Sequence, residues 1–442
     1  MSLRRVLFWC HLTAGSIAGL VILVMCVTGV LLAAQRHVIH SAEGVFRSVP
    51  PAGAQRLPFA TLFERARAVR SASPSGAVWR SDSSEPVEAM FGRGQSVLLN
   101  PYTGAVLGQG AVRTRAFFRG VEDWHRWLAV SLEHRATGRG ITGACNLAFL
   151  FLVCSGPFLW WPRIWTRAVL RAGTRFNGKL TGKPRDFNWH NVIGFWTCIP
   201  LALIVACAVV MSYPWANNLA YRITGNQPPP LQAAPAAIAQ TPRDPSKSQQ
   251  PGADALANPE GPQHRYADSP ERGGGEKTEA TPSLEGLNQQ AAIAEQRVPG
   301  WRAITLRVPG SPSDPNLVFS IDSGNGGRPD KRAQLTIDRK TGREVRWEPF
   351  SSYNSGRRLR AWIRFTHTGE AGGVVGQFVA ALAALGGAFL VFTGLSLAIR
   401  RLIASLSRDR ASTAIALLRP TPNFVPTVSN DSEPARHAGG QD

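Results

Sequence analysis

Four long apolar segments govern what this chain can fold into: Leu12–Ala34, Ile141–Trp161, Val192–Tyr213 and Val374–Ile399, each nearly free of charge. A helix needs roughly 20 such residues to cross the hydrocarbon layer of a bilayer. Arg, Lys, Trp or Pro flank every segment, as anchored spans require. A soluble core helix of this length would carry a polar face, which these segments lack. The expected fold class is therefore membrane α-helical, with four transmembrane helices. The mean hydropathy of -0.08 reflects the long polar stretches between the spans.

Charge sets the expected orientation. Arg163, Arg167, Arg171, Arg175, Lys179, Lys183 and Arg185 lie between spans two and three, against the single acid Asp186. Arg4 and Arg5 precede span one, and Arg400 and Arg401 follow span four. Four crossings put all three clusters on one side, and the positive-inside rule makes that side cytoplasmic, both termini included. The net charge of +20 is thereby topology, and no nucleic-acid partner is expected. Arg4, Arg5, the apolar run and Leu31-Leu32-Ala33-Ala34 also read as a cleavable signal peptide. The run exceeds the usual core of about 7–15 residues, which favours a retained anchor. Cys10, Cys26, Cys145, Cys154, Cys198 and Cys207 all lie in or beside the first three spans, so no disulfide framework is expected in the exported regions.

The chain divides into residues 1–36 (N-terminus and span one), 50–112 (first exported domain), 117–163 (entry helix and span two) and 164–188 (basic loop). Span three (189–215), a linker (224–282), a second exported domain (283–350), span four (358–401) and a tail (402–442) follow. The linker, rich in Pro, Gln and Gly with few aromatics, reads as disordered. Each exported domain reads as a helix followed by a small antiparallel sheet. The first has strands at Ala77–Trp79, Val87–Phe91, Ser96–Leu99 and Ala105–Leu107; the second has a helix near Leu284–Gln296 and strands around Arg302–Val308, Leu317–Ile321, Ala333–Ile337 and Glu344–Trp347. Asn100-Pro101-Tyr102-Thr103-Gly104 and Asp338-Arg339-Lys340-Thr341-Gly342 form turns before the last strands. The two halves thus read as a pseudo-repeat related by an axis along the membrane normal.

Histidines dominate the ionisable groups near the spans. His11 and His190 open spans one and three, and each is followed four residues later by glycine, Gly15 and Gly194. That places the glycine one turn away on the same face, where it leaves room for a flat macrocycle against the ring. His125 and His367 lie just before spans two and four, at the opposite surface. Facing imidazoles are natural axial ligands for haem iron, and bundle interiors are where such cofactors sit. His190 and Tyr213 are separated by roughly 35 Å of helix at ~1.5 Å per residue, too far for one macrocycle, so two haems are expected. His134, with Gly138 four residues on, rivals His125; His37 and His40 read as further ligands or surface residues. Glu370 is a candidate acceptor for the ring N–H of His367, the alternative being an interfacial charge. Without Cys-x-x-Cys-His, attached c-type haem is not indicated. His264 and His437 receive no role.

WHRWLA at 124–129, GRGITG at 138–143, SGPFLWWPR at 155–163, HNVIGFW at 190–196, THTGEAGGVVGQ at 366–377 and FTGLSLAIRR at 392–401 resemble the PepSY-associated transmembrane proteins. NPYTGAVLG at 100–108 is similar to that family's exported PepSY domain. The resemblance implies a bacterial inner-membrane haem protein, with haem ligands carried over onto His11, His125, His190 and His367. It implies b-type haem, iron held only through haem, and an oxidoreductase of the ferric-siderophore reductase type that serves iron uptake. Some relatives carry a fused flavoprotein domain, whose glycine-rich fingerprint this sequence lacks, so the donor is expected to be a separate quinol or cytoplasmic reductase. The competing reading is a membrane-anchored PepSY binding or regulatory protein without redox activity. A transporter is disfavoured, because the spans hold no charged relay.

Overall fold

A computed structural model describes residues 2–70, 72–92, 95–229, 286–308 and 315–418, with backbone only from 408 onward. The chain runs α1 (Leu3–Glu43), α2 (Phe59–Arg70), β1 (Gly76–Arg80), β2 (Val87–Phe91), β3 (Gln95–Leu99), β4 (Val106–Gly108), α3 (Val112–Trp127), α4 (Arg135–Trp160), α5 (Arg167–Thr174) and α6 (Gly182–Ser212). There follow α7 (Pro214–Arg222), α8 (Leu287–Arg297), β5 (Ala303–Arg307), β6 (Asn316–Asp322), β7 (Arg332–Asp338), β8 (Glu344–Pro349), α9 (Ser355–His367) and α10 (Gly373–Leu418). Most of the linker expected at 224–282, with His264, and much of the tail, with His437, lie outside the described residues.

Among the described residues four stretches are long and apolar enough to cross a membrane: Leu3–Phe46, Val112–Trp160, Gly182–Ser212 and Glu370–Ser407. The helices run past the apolar segments at their ends because polar residues continue a helix once it has left hydrocarbon. α1, α4, α6 and α10 form a four-cornered bundle in which α1 and α6 each pack on both α4 and α10. Ile17, Leu20 and Ile199 face outward, 79%, 69% and 78% exposed. Inside, Ile22, Cys26, Phe149, Val153, Leu201, Val205 and Ala383 form one apolar layer.

The expected entry helix and span two are separate rods. α3 stops where Leu128 and Ala129 take positive φ, 56° and 52°, and α4 starts six residues later. The GRGITG stretch makes the joint: a Cβ on Gly138 would overlap the Trp127 carbonyl, and Thr142 Oγ1 donates to the Arg126 carbonyl at 2.8 Å. The short helices α5 and α7 were not expected.

All eight expected strands form, but not as two sheets. They join in one antiparallel sheet of order β4-β3-β2-β1-β5-β6-β7-β8. The joint is β1 against β5, with Val78 opposite Thr305 at its centre and Gly76–Arg307 and Arg80–Ala303 at its ends. Both pre-strand turns use the same chemistry. Asn100 Oδ1 accepts from the Tyr102 and Thr103 amides, Asp338 Oδ1 accepts from the Lys340 and Thr341 amides, and Gly104 and Gly342 supply φ of 68° and 69°.

Period-2 alternation gives the sheet two unlike faces. Trp79, Ile304, Leu306, Phe319, Leu335 and Ile337 pack in one core with Leu62 and Phe63 of α2 and Leu287 and Ala291 of α8. The other face buries Glu88, Ser96, Thr305, Thr336 and Glu348. Arginines from the bundle side meet it: Arg115 of α3 bonds Glu88 at 2.6 Å, and Arg357 of α9 bonds Glu348 at 2.9 Å. Burial alone would raise the Glu88 carboxyl, but Arg115 and a bond to Ser96 hold it below the usual carboxylate range. The native pKa lies below the unfolded one, so this pair stabilises fully above the ordinary Glu value of ~4.3 and is lost as pH falls through the lowered native value. Glu88→Ala leaves Arg115 with Glu43, 2.6 Å away, and is expected to cost about 2 kcal/mol at neutral pH for the lost charged hydrogen bonds, read as a lower melting temperature in detergent.

Candidate functional site

The bundle brings four histidines inward as two pairs. His11 on α1 and His190 on α6 come from opposite corners at the end remote from the sheet. His11 Nδ1 lies 2.8 Å from Ser155 Oγ of α4, and His190 Nδ1 lies 2.9 Å from Thr393 Oγ1 of α10. Each ring rests beside the next residue of the same neighbour: a Cβ on Gly156 would be 3.9 Å from His11 Cε1, and one on Gly394 would be 3.4 Å from His190 Cε1.

At the sheet end, His125 Nδ1 lies 2.9 Å from Thr28 Oγ1 of α1, and His367 Nδ1 lies 3.0 Å from the Ile204 carbonyl of α6. His125 is placed by the Gly138–Thr142 clasp on the end of α3. His367 ends α9 and is placed by the sharp return into α10: Gly369 has φ of 73°, and a Cβ on Gly376 would overlap the Gly369 carbonyl. The two rings stand 6.3 Å apart between centres, at 52°.

These partners favour one tautomer, and the Ile204 carbonyl requires it of His367. Thr28, Thr393 and Ser155 hydroxyls donate to the carbonyls of Val24, Phe389 and Leu152. Their oxygens are therefore left to accept from Nδ1–H, and the Ile204 carbonyl accepts by nature. All four rings are engaged through Nδ1, and with the proton on that nitrogen each Nε2 keeps a lone pair that no hydrogen bond to the described residues takes up. A neutral imidazole with its other nitrogen so engaged is a prepared metal ligand.

The imidazole donors are of a kind that haem iron accepts, and one pair has a measured separation. Two imidazoles on one metal, each with its nitrogen at about 2.0–2.1 Å and its ring centre about 1 Å beyond, stand about 6 Å apart between centres. The His125–His367 separation of 6.3 Å matches. No group of three or more His, Cys, Asp or Glu suited to a bare ion occurs among the described residues; haem, if bound, would need only two imidazoles from the protein.

The family described as the PepSY-associated TM region matches residues 8–401, nearly the whole described chain. The chain belongs to the PepSY-associated TM family. No curated protein matches it.

In this PepSY-associated TM protein the other expected site residues lie elsewhere. His134 is exposed at the start of α4 and joins neither pair. Glu370 does not receive the His367 ring proton, which goes to Ile204; it pairs instead with Arg36 at 3.4 Å. Gly15 and Gly194 face Leu152 and Leu390, where a Cβ would sit at 3.8 and 3.6 Å. They serve helix packing at least as directly as ring clearance. His37 Nε2 bonds Gln377 Oε1 at 2.8 Å, and His40 Nε2 meets Arg47 at 3.2 Å. The outer pair also reaches deeper than the sequence spacing suggests. His190 to Ile204 is roughly 21 Å of helix, not 35 Å, and His11 to Thr28 roughly 25 Å, at ~1.5 Å per residue.

Ser155 and Thr393 escaped the sequence reading although a signal existed: Phe-Leu-Val-Cys-Ser-Gly at 151–156 repeats as Phe-Leu-Val-Phe-Thr-Gly at 389–394. Thr393→Val strands the Nδ1–H of His190, and Ser155→Ala does the same to His11. Each is expected to weaken cofactor retention at that end about 10–100-fold, measured as haem lost on dilution, while the His125–His367 end stays unchanged.

Proposed function

We propose that this protein carries electrons across the bacterial inner membrane between two b-type haems and reduces a ferric siderophore on the periplasmic, sheet-bearing side. The observation that carries the reading is the placement of four histidines, two at each end of one bundle, each engaged through Nδ1 by a hydroxyl or carbonyl oxygen. Haem bound at each pair supplies one-electron iron chemistry. His11 and His190 hold it at the cytoplasmic end, and His125 and His367 at the periplasmic end. Ser155, Thr393, Thr28 and the Ile204 carbonyl keep the rings oriented, and the layer around Ile22, Phe149 and Leu201 keeps water out between them.

The remaining parts of the reading follow from charge and topology. The arginine clusters place the helix termini at the His11 end in the cytoplasm, so the sheet is exported. Ferrous iron is held less firmly by hard oxygen donors, so reduction releases it for uptake. We assign the sequence halves to a parallel pseudo-repeat whose axis passes between Val78 and Thr305. A quinol or a cytoplasmic reductase is the proposed donor at the His11–His190 end.

The test is spectroscopic. Protein purified in detergent from haem-replete cells should show a dithionite-reduced b-type spectrum with two haems per chain. Addition of a ferric siderophore should reoxidise it. Colourless protein would sink the proposal and favour the binding or regulatory reading. Red protein that no ferric chelate reoxidises would retain electron transfer and overturn the substrate.

A further inference from the structure

The end opposite the sheet carries a surface that the electron path does not use. Arg163, Arg167, Arg171 and Arg175 recur every fourth residue along and beside α5, and all four are exposed. None has an acidic partner among the described residues; Asp186, the acid of this region, is engaged by Arg185, Arg400 and Ser396. Interleaved with them, Trp161, Ile164, Trp165 and Phe176 are 59%, 71%, 52% and 59% exposed.

This stripe is held in place. Thr166 caps α5 by accepting from the Val169 amide. At the other end Asn188 donates to the Ala172 and Arg175 carbonyls, and Trp196 Nε1 donates to the Thr174 carbonyl at 3.0 Å. Gly173 admits the Trp160 ring, since a Cβ there would lie 2.8 Å from its Nε1. The segment is thus pinned against α6 where Trp196 and Ile199 face outward.

Four unneutralised guanidiniums require anions, and four neighbouring apolar side chains require hydrocarbon. A soluble acidic partner meets the first need only. We propose that residues 161–176 bind acidic phospholipid headgroups, the guanidiniums taking the phosphates while the Trp and Ile side chains enter the acyl boundary. Continuity with the outward face of α6 puts the stripe at bilayer level.

Full-length protein in detergent would be offered phosphatidylglycerol, phosphatidylcholine or inorganic phosphate, with bound lipid counted by native mass spectrometry. Wild type should retain phosphatidylglycerol about tenfold over phosphatidylcholine at low salt, less at high salt, and inorganic phosphate should not compete. The R163Q/R167Q/R171Q/R175Q protein should lose that preference, and the matching four-Lys protein should keep it. Equal retention of the two lipids, competition by phosphate, or an unchanged preference in the four-Gln protein would overturn the proposal. Should the four-Gln protein fail to fold, the wild-type lipid and salt comparison decides alone. High-salt release of a co-purifying acidic protein from this segment, without lipid selectivity, would also overturn it.

Discussion

His190→Ala protein is expected to retain about half the wild-type haem, and His11→Ala protein the same half. On the proposed reading the two rings, approaching from opposite corners of the bundle, hold one haem together, so removing either should release it. His125→Ala and His367→Ala should each remove the other half. The pairing makes a further demand on double variants. H11A/H190A should resemble either single variant, because both act on one site and their effects cannot add. H190A/H367A should be colourless. Pyridine haemochrome assay of purified protein measures all six, and stepwise loss within one end would refute the pairing.

Gly76→Val is expected to destabilise the sheet by at least about 3 kcal/mol. A Cβ on Gly76 would overlap the Leu306 carbonyl and come within 2.8 Å of Met90 Cε, so the backbone of β1 or β5 must move. Among the described residues that strand pair is the only ladder joining the two sets of four strands. The defect should therefore appear as exchange of the β1 and β5 amides with solvent and as early proteolysis in 95–108 or 303–322, with the bundle intact. Gly92→Ala, where nothing lies within 4 Å, serves as the control and should stay within about 0.5 kcal/mol of wild type. Normal exchange in the Gly76→Val protein would show that the sheet yields at this joint more readily than its geometry implies.

Much of this molecule was legible from local pattern. Short β-prone runs bounded by turn residues marked every strand, and the Asn100 and Asp338 turns announced themselves because side-chain oxygen, backbone amide and positive φ all fall within five residues. The β1–β5 union was not legible. Gly-Ala-Val-Trp-Arg states that it alternates but not which edge it will seek, and its partner lies more than 220 residues away. The direction of Glu370 failed for a related reason: proximity in sequence suggested His367, whereas the turn through Gly369 carries the carboxylate to Arg36 of a distant helix.

The sequence by itself determined the four apolar spans and the four histidines that flank them, since hydrocarbon thickness sets a minimum helix length and charge is costly within it. Only the tertiary structure decided what those histidines are ready to do. Helical periodicity assigns a residue to a face, but which faces meet is chosen by packing along the whole length of each helix. That choice brought Ser155, Thr393, Thr28 and the Ile204 carbonyl to the four Nδ1 atoms and left each Nε2 without a hydrogen-bond partner among the described residues.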